Sequence, residues 1–307
     1  MANIAWIGLG QMGLPMAANL SAAGHHLTGF DVSTECSGRA AEAGLVTAAD
    51  IASAVSGVDI VFLSLPHGDI VRDVLTAPDG VLASAQAGTI VIDTSTIDVA
   101  QARELHRHCA ELGFSFLDAP VSGGISGAAA GTLTVMVGGE ESVVEKASPV
   151  LESIAAAVIH VGDAGAGQIA KLINNMICGV NLAAVCEGVD LAERLGVDPT
   201  VLFDVVSRSS GNSWALSTWY PVPGVVETAA SNRDFAPGFT TQLLVKDMGL
   251  AVRSGELAGS ELRTVRLVRS MFEEHAAGGA DGLDCTSLIT SLRPSNREIA
   301  PPHVEQT

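Results

Sequence analysis

Gly167, Lys171 and Asn175 recur at four-residue intervals. On a helix they share one face, and Asn174 borders it. A lysine, two carboxamides and a close-approach glycine thus converge in a run that is otherwise apolar from Gly165 to about Arg194. An amine on a flexible stem gives up its proton when partly buried, which a guanidinium does not do. Such a group can act as a general acid/base. The other reading is a core helix with a snorkelling lysine. The cations favour the amine: the chain has 13 arginines and only three lysines, at 146, 171 and 246. Where arginine is the default, a lysine on an apolar helix suggests that an amine is needed.

A second group of residues speaks of a dinucleotide. Gly8-Leu9-Gly10-Gln11-Met12-Gly13 follows the apolar run Asn3–Ile7 and precedes residues with helical apolar spacing. Strand, glycine turn and helix form the context in which this pattern has meaning. Gly8 permits the tight turn, Gly10 lets the backbone approach a pyrophosphate, and Gly13 lets the helix pack on the strand. The helix N-terminus offers free N–H groups to phosphate. Asp31, at the end of the strand 26–30, stands where a ribose-binding carboxylate belongs, and it would repel a 2′-phosphate. No arginine adjoins it, so the expected cofactor is NAD rather than NADP. Capping the helix that starts at Ser33 is Asp31's competing role.

Further strands run 60–65, 89–93, 115–118 and 132–137. In open parallel sheets ligands sit at the carboxyl ends of strands. Leu65 and Pro66 fall at one such end, expected on the adenine-ribose side, and Thr96 at another, expected on the nicotinamide side. His67 and Asp69 read as solvated loop residues. Ser122-Gly123-Gly124 presents a hydroxyl and unhindered N–H groups, either a carboxylate cradle or a plain turn.

These residues need a scaffold that the pattern supplies. Alternating strands and helices predict an α/β fold: a Rossmann-like, doubly wound, mostly parallel sheet over 1–163. A long helix follows over 164–193, about 40 Å long at 1.5 Å per residue. An all-α region is expected over 194–293, with helices from Pro199, over 240–254 and over 260–275. Residues 294–307 are polar and proline-rich and are expected to be a mobile tail. The aromatic-rich stretch 209–239 is expected to wall a pocket or a contact between copies.

Composition narrows the function. The 307 residues are 48% hydrophobic and 16% charged, with net charge −18. That charge argues against nucleic acid and against anionic membrane surfaces. Lys171, Asn174, Asn175 and Glu187 argue against a membrane span in the long helix. Five scattered cysteines without a CxxC pair fit a reduced, cytoplasmic setting. His106-Arg107-His108-Cys109 reads as an exposed helix, and no metal site is expected. The only tyrosine, Tyr220, has Gly224 at i+4, so a Tyr-x-x-x-Lys dehydrogenase is excluded.

Together, Gly8–Gly13, Asp93-Thr-Ser-Thr96, Asp118-Ala-Pro-Val-Ser-Gly-Gly124, Gly131-Thr-Leu-Thr134, Gly167-x-x-x-Lys171-x-x-x-Asn175 and Lys246-Asp247 resemble the β-hydroxyacid dehydrogenases, in order and over nearly the whole chain. The segments 213–224 and 237–240 look most like the branch that oxidises 3-hydroxyisobutyrate to methylmalonate semialdehyde in valine catabolism. The resemblance implies that Lys171 is catalytic and that Ser122, Gly123, Gly124 and Asn175 bind substrate; Asn174, which borders the same helix face, is expected to bind substrate with them. It implies cofactor contacts from Thr96 and Lys246, beside those expected of Gly8 to Gly13, Asp31, Leu65 and Pro66, and assembly into homodimers or homotetramers. His67-Gly68 departs from the family pattern. Another small 3-hydroxy acid, such as tartronate semialdehyde in the reductive direction, is the nearest alternative substrate. A non-catalytic dinucleotide-binding module is the alternative of another class.

Overall fold

The structure, a computed structural model, describes residues 1–293. The expected tail 294–307 lies outside the described residues. The chain forms two compact units, Met1–Leu172 and the residues from Ile173 onward.

The first unit is built on nine strands: β1 Asn3–Ile7, β2 His26–Phe30, β3 Val46–Thr47, β4 Ile60–Leu63, β5 Ile90–Asp93, β6 Ser115–Asp118, β7 Val121–Ser122, β8 Leu133–Gly138 and β9 Ala155–Gly162. Their order is β3-β2-β1-β4-β5-β6-β8-β7, with β9 paired to β8. From β3 to β6 every pairing is parallel; β8 runs antiparallel to β6 and β7 and parallel to β9. This is the expected doubly wound, mostly parallel sheet.

Burial on both faces explains the continuous apolar strands. In β1, Ile4 and Trp6 enter one core cluster while Ala5 and Ile7 enter another. β4 repeats this, with Ile60 and Phe62 on the first side and Val61 and Leu63 on the second. Trp6 lies opposite Phe62 in register, and their rings stack at 4.8 Å. The sheet order reverses between β1 and β4, so the crevice that serves ligands in such folds opens at the carboxyl ends of these two strands.

Three short or irregular strands escaped the sequence reading. β3 and β7 have two residues each, too few for a periodic signal. β9 is apolar over Ala155–Ile159 yet mostly half-buried or exposed, and its three leading alanines carry little strand preference. The small-residue stretch after the Ser-Gly-Gly turn forms a short helix, Gly124–Ala130. The helix Val99–Glu111 is amphipathic rather than simply exposed: Cys109 is buried in the core and His106 is partly buried.

The long helix spans Ala166–Arg194, 29 residues. By length and composition it passes as a membrane span, yet its most apolar window is 39% buried within the protein. Leu182, Ala183, Cys186 and Val189 belong to the second unit's core. That unit is helical among its described residues. Its principal helices are Pro199–Val206, Trp214–Trp219, Thr241–Ala258 and Arg263–His275. Asp198 caps the first of them, accepting from the Thr200 N–H at 2.7 Å, with Pro199 at the helix start as expected. The aromatic-rich stretch holds together through its rings: Trp219 packs edge-on to Trp214 at 4.9 Å and stacks on Phe239 at 6.1 Å.

Candidate active site

The glycine turn separates into packing glycines and an open one. Gly8 follows β1 at φ +97°, and its N–H donates to Phe30 O at 2.8 Å. A Cβ there would lie 2.3 Å from Ser64 O, at the end of β4. A Cβ on Gly13 would lie 1.9 Å from Gly8 O. Both glycines are demanded by the protein's own backbone. At Gly10 a Cβ would meet nothing within 4 Å. The space above Gly10 is therefore open, as the approach of a pyrophosphate requires. Gln11 is exposed and Met12 half-buried, while the Leu9 side chain is fully buried in the core.

Asp31 does two jobs for the backbone. Its Oδ2 accepts from the Leu9 N–H at 2.7 Å and its Oδ1 from the Ser33 N–H at 2.8 Å. The helix Thr34–Glu42 is capped by Ser33, whose hydroxyl accepts from the Cys36 N–H. Capping is thus not Asp31's role. Each carboxylate oxygen keeps acceptor capacity for a ribose hydroxyl. Arg39, on the same helix, donates to Cys36 Sγ at 3.2 Å; that bond, ahead of the nearby Glu35 and Asp31 charges, holds its pKa above the ordinary value.

The loops after β4, β5 and β6 are tied together. The Leu65 N–H donates to Ser95 Oγ at 2.9 Å, and the Ser95 N–H to Asp93 Oδ1 at 3.0 Å. Pro66 and His67 are exposed, and His67 precedes the helix Gly68–Thr76; Asp69 pairs with Arg72 at the surface. Gln168, fully buried, accepts from the Ile97 N–H at 3.0 Å and donates to Ser95 O at 2.8 Å, on either side of Thr96. Asp118, also fully buried, accepts from the N–H groups of Gly165 at 2.8 Å and Gln168 at 2.9 Å. It thereby satisfies free donors at the start of the long helix. His106 Nε2 lies 2.9 Å from the same carboxylate.

Gly167 is a close-approach glycine, but to the protein's backbone. A Cβ there would lie 2.4 Å from both Asp118 O and Met136 O. One turn later Lys171 is buried, 9% exposed. The turn Ser122-Gly123-Gly124 has Gly123 at φ +135° and Gly124 at φ +66°, conformations that side chains avoid. Both glycines are exposed, and a Cβ on Gly124 would meet nothing within 4 Å.

In the second unit a different cluster forms around Asp247. Asn175 Nδ2 donates to Asp247 Oδ2 at 2.6 Å, and Lys246 Nζ lies 3.2 Å from Asp247 Oδ1. Asn174 is exposed and donates to Asn175 Oδ1 at 3.1 Å. Asn174, Asn175 and Lys246 are thus brought together, with Asp247 at their centre.

Sequence reasoning missed Asp118, Gln168 and Asp247 as working residues. Each carried a signal: a polar group inside an apolar strand or helix, with no solvent to satisfy it. Elsewhere the buried thiols are poor nucleophiles. Burial pushes Cys109 and Cys186 up to about 12 and Cys285 well above the ordinary value.

Comparison with known proteins agrees with this geometry. Residues 3–162 match the NAD binding domain of 6-phosphogluconate dehydrogenase, and residues 165–292 match the NAD-binding region of NADP-dependent 3-hydroxyisobutyrate dehydrogenase. A probable 3-hydroxyisobutyrate dehydrogenase of Mycobacterium tuberculosis is 45% identical over 95% of this chain and 98% of its own. An NAD-dependent L-serine dehydrogenase of Pseudomonas aeruginosa is 42% identical over 89% of this chain and 91% of its own. A solved structure of the Mycobacterium tuberculosis 3-hydroxyisobutyrate dehydrogenase with L-serine superposes with a TM-score of 0.88, at 45% identity, covering 95% of this chain and 99% of that one. With two NAD-binding regions that together span nearly its whole length, the chain belongs to the β-hydroxyacid dehydrogenase family of NAD-dependent oxidoreductases.

Proposed function

We propose that this hydroxyacid dehydrogenase oxidises the primary alcohol of 3-hydroxyisobutyrate to methylmalonate semialdehyde, with Lys171 as general acid/base. The observation that carries the reading is a lysine, rare in this chain, buried one turn after Gly167 on the helix that Asp118 and Gln168 fasten to the sheet. NAD, when bound, supplies the hydride acceptor. The open space at Gly10 and the free acceptor capacity of Asp31 fit its pyrophosphate and its adenosine ribose.

The chain's own residues have distinct tasks under this reading. Gly8–Gly13 and Asp31 hold the adenine half, and Leu65, Pro66, Thr96 and Lys246 contact the rest. Ser122, Gly123 and Gly124 hold the substrate carboxylate through a hydroxyl and bare N–H groups. Asn175 orients the substrate, its amide held in turn by Asp247; Asn174 borders the same face. Lys171 Nζ takes the hydroxyl proton as the carbonyl forms. Assembly of two or four copies accompanies the reading. Ile173, Ile177 and Leu191, at 46%, 52% and 57% exposure, supply apolar helix surface for another copy to cover.

L-serine is the second reading. It shares the hydroxymethyl group and the carboxylate, and it is favoured by the identity with a relative named for that activity. Initial rates with 3-hydroxyisobutyrate, L-serine and glycerate (the alcohol that corresponds to tartronate semialdehyde), each with NAD and NADP, decide between them. The first substrate with NAD should give the highest kcat/KM. Absence of any response to 3-hydroxyisobutyrate rejects that substrate.

A further inference from the structure

Gln168 spends its whole carboxamide on one loop. Oε1 accepts from the Ile97 N–H at 3.0 Å and Nε2 donates to Ser95 O at 2.8 Å, so the two bonds bracket Thr96. The backbone N–H of Gln168 is held separately by Asp118 Oδ2 at 2.9 Å. Asp118 ends β6, beside Asp93 at the end of β5. The side chain of Gln168 is fully buried. Its neighbour at i+3, on the adjoining helix surface, is Lys171.

An apolar residue would fill this volume equally well. It would leave the Ser95 carbonyl and the Ile97 N–H without these bonds, and it would set no distance between loop and helix. The carboxamide does set one. The same network continues outward, since Ser95 Oγ receives the Leu65 N–H. The loop after β4, the loop after β5 and the first turn of the Lys171 helix are therefore one hydrogen-bonded body.

We infer that Gln168 is a positioning residue, which fixes the strand-end loop carrying Thr96 against the helix turn carrying Lys171. The inference rests on the reading of Lys171 as the acid/base and Thr96 as a nicotinamide-side contact. Hydride and proton transfer must be aligned together, and a misplacement of about 1 Å costs on the order of a hundredfold in rate. The adenine half of the cofactor is held elsewhere, by Gly8–Gly13 and Asp31, so its affinity should not depend on this clamp.

The test uses the full chain with NAD and two probe substrates, 3-hydroxyisobutyrate and L-serine. Gln168→Met keeps length and loses both bonds; Gln168→Glu keeps the acceptor for the Ile97 N–H and, when ionised, cannot donate to Ser95. Rates are expressed per NADH-binding site. Gln168→Met should lower kcat at least tenfold and change the KM for NAD less than threefold. The deuterium isotope effect on kcat, with the carbinol carbon labelled, should rise. Gln168→Glu should fall between Gln168→Met and the unmodified chain. A residue that merely packs would lose active molecules but leave kcat per site and the isotope effect unchanged, and that result overturns the inference. Fluorescence of bound NADH reads the clamp without substrate. Its emission should shift to longer wavelength in Gln168→Met, or in Gln168→Glu where the first variant fails to fold; an unshifted emission counts against the clamp. Lys171→Ala runs in parallel. An active Lys171→Ala defeats the acid/base reading itself, whereas an inactive one beside an unimpaired Gln168→Met defeats only the role given to Gln168.

Discussion

Asn175 donates from Nδ2 to Oδ2 of Asp247 at 2.6 Å, and Asp247 is all but fully buried. The carboxylate thereby decides which way the Asn175 amide faces, leaving its oxygen toward Asn174. Lys246 Nζ shares the same carboxylate. Removing a buried acceptor strands its donors, at about 1–3 kcal/mol.

Asp247→Ala should therefore lower the stability of the second unit by about that amount, read as a lower urea midpoint. It should also lower kcat/KM for the hydroxy acid more than tenfold, because the Asn175 amide is no longer oriented. Asp247→Asn, which keeps one acceptor oxygen, should lose less on both counts. Equal losses from the two variants would mean that shape, not hydrogen bonding, is what Asp247 supplies.

Gly10 and Gly13 make a paired test of the glycine turn. Gly13→Ala puts a methyl 1.9 Å from Gly8 O and should unfold the turn, with a large drop in melting temperature. Gly10→Ala meets no protein atom within 4 Å and should leave the melting temperature unchanged. It should nevertheless weaken NAD binding at least tenfold, by isothermal titration, because the methyl enters the space read as the pyrophosphate's. Unchanged NAD affinity in Gly10→Ala would remove that space from the site.

Asp31 should control the choice of cofactor. Asp31→Ser removes a charge that repels a 2′-phosphate, so kcat/KM with NADP should rise relative to NAD by at least tenfold. Because Asp31 also holds the Leu9 and Ser33 N–H groups, activity with NAD should fall as well. Steady-state kinetics with both nucleotides check this, and an unchanged ratio contradicts it.

Much of this was legible in the sequence, for identifiable reasons. The buried parallel strands are continuous apolar runs, and Gly8, Gly10 and Gly13 interrupt them at spacings that a nucleotide turn requires. Lys171 stood out because lysine is scarce here. What was not legible depends on pairings distant in sequence. Gln168 meets Ser95 and Ile97, Asp118 meets Gly165, and Asn175 meets Asp247, separations of 71 to 73 residues for the first and last of these and 47 for Asp118. No local period reports such contacts. β9 was missed although Ala155–Ile159 is apolar, because its run of alanines favours a helix as readily as a strand.

His275 should leave a trace in the pH dependence of stability. Its Nε2 lies 2.7 Å from Ser287 Oγ and its Nδ1 bonds Ser291 Oγ, and burial lowers its pKa below the ordinary 6.5. A histidine depressed in the folded state favours the fold while neutral. Its contribution is complete above the unfolded pKa and is lost as pH falls through the folded one. Thermal melts from pH 7.5 to 5 should show a steeper acid-side loss in the unmodified chain than in His275→Gln. Parallel curves would show that His275 does not titrate with unfolding.

The central claim is that the amine at position 171 moves the proton of the reacting hydroxyl. The direct measurement is kcat of Lys171→Ala with NAD and 3-hydroxyisobutyrate, in protein shown to bind NADH as the unmodified chain does. The account predicts loss of turnover with NADH affinity nearly intact. Activity retained within about tenfold, roughly 1.4 kcal/mol of barrier, would contradict it.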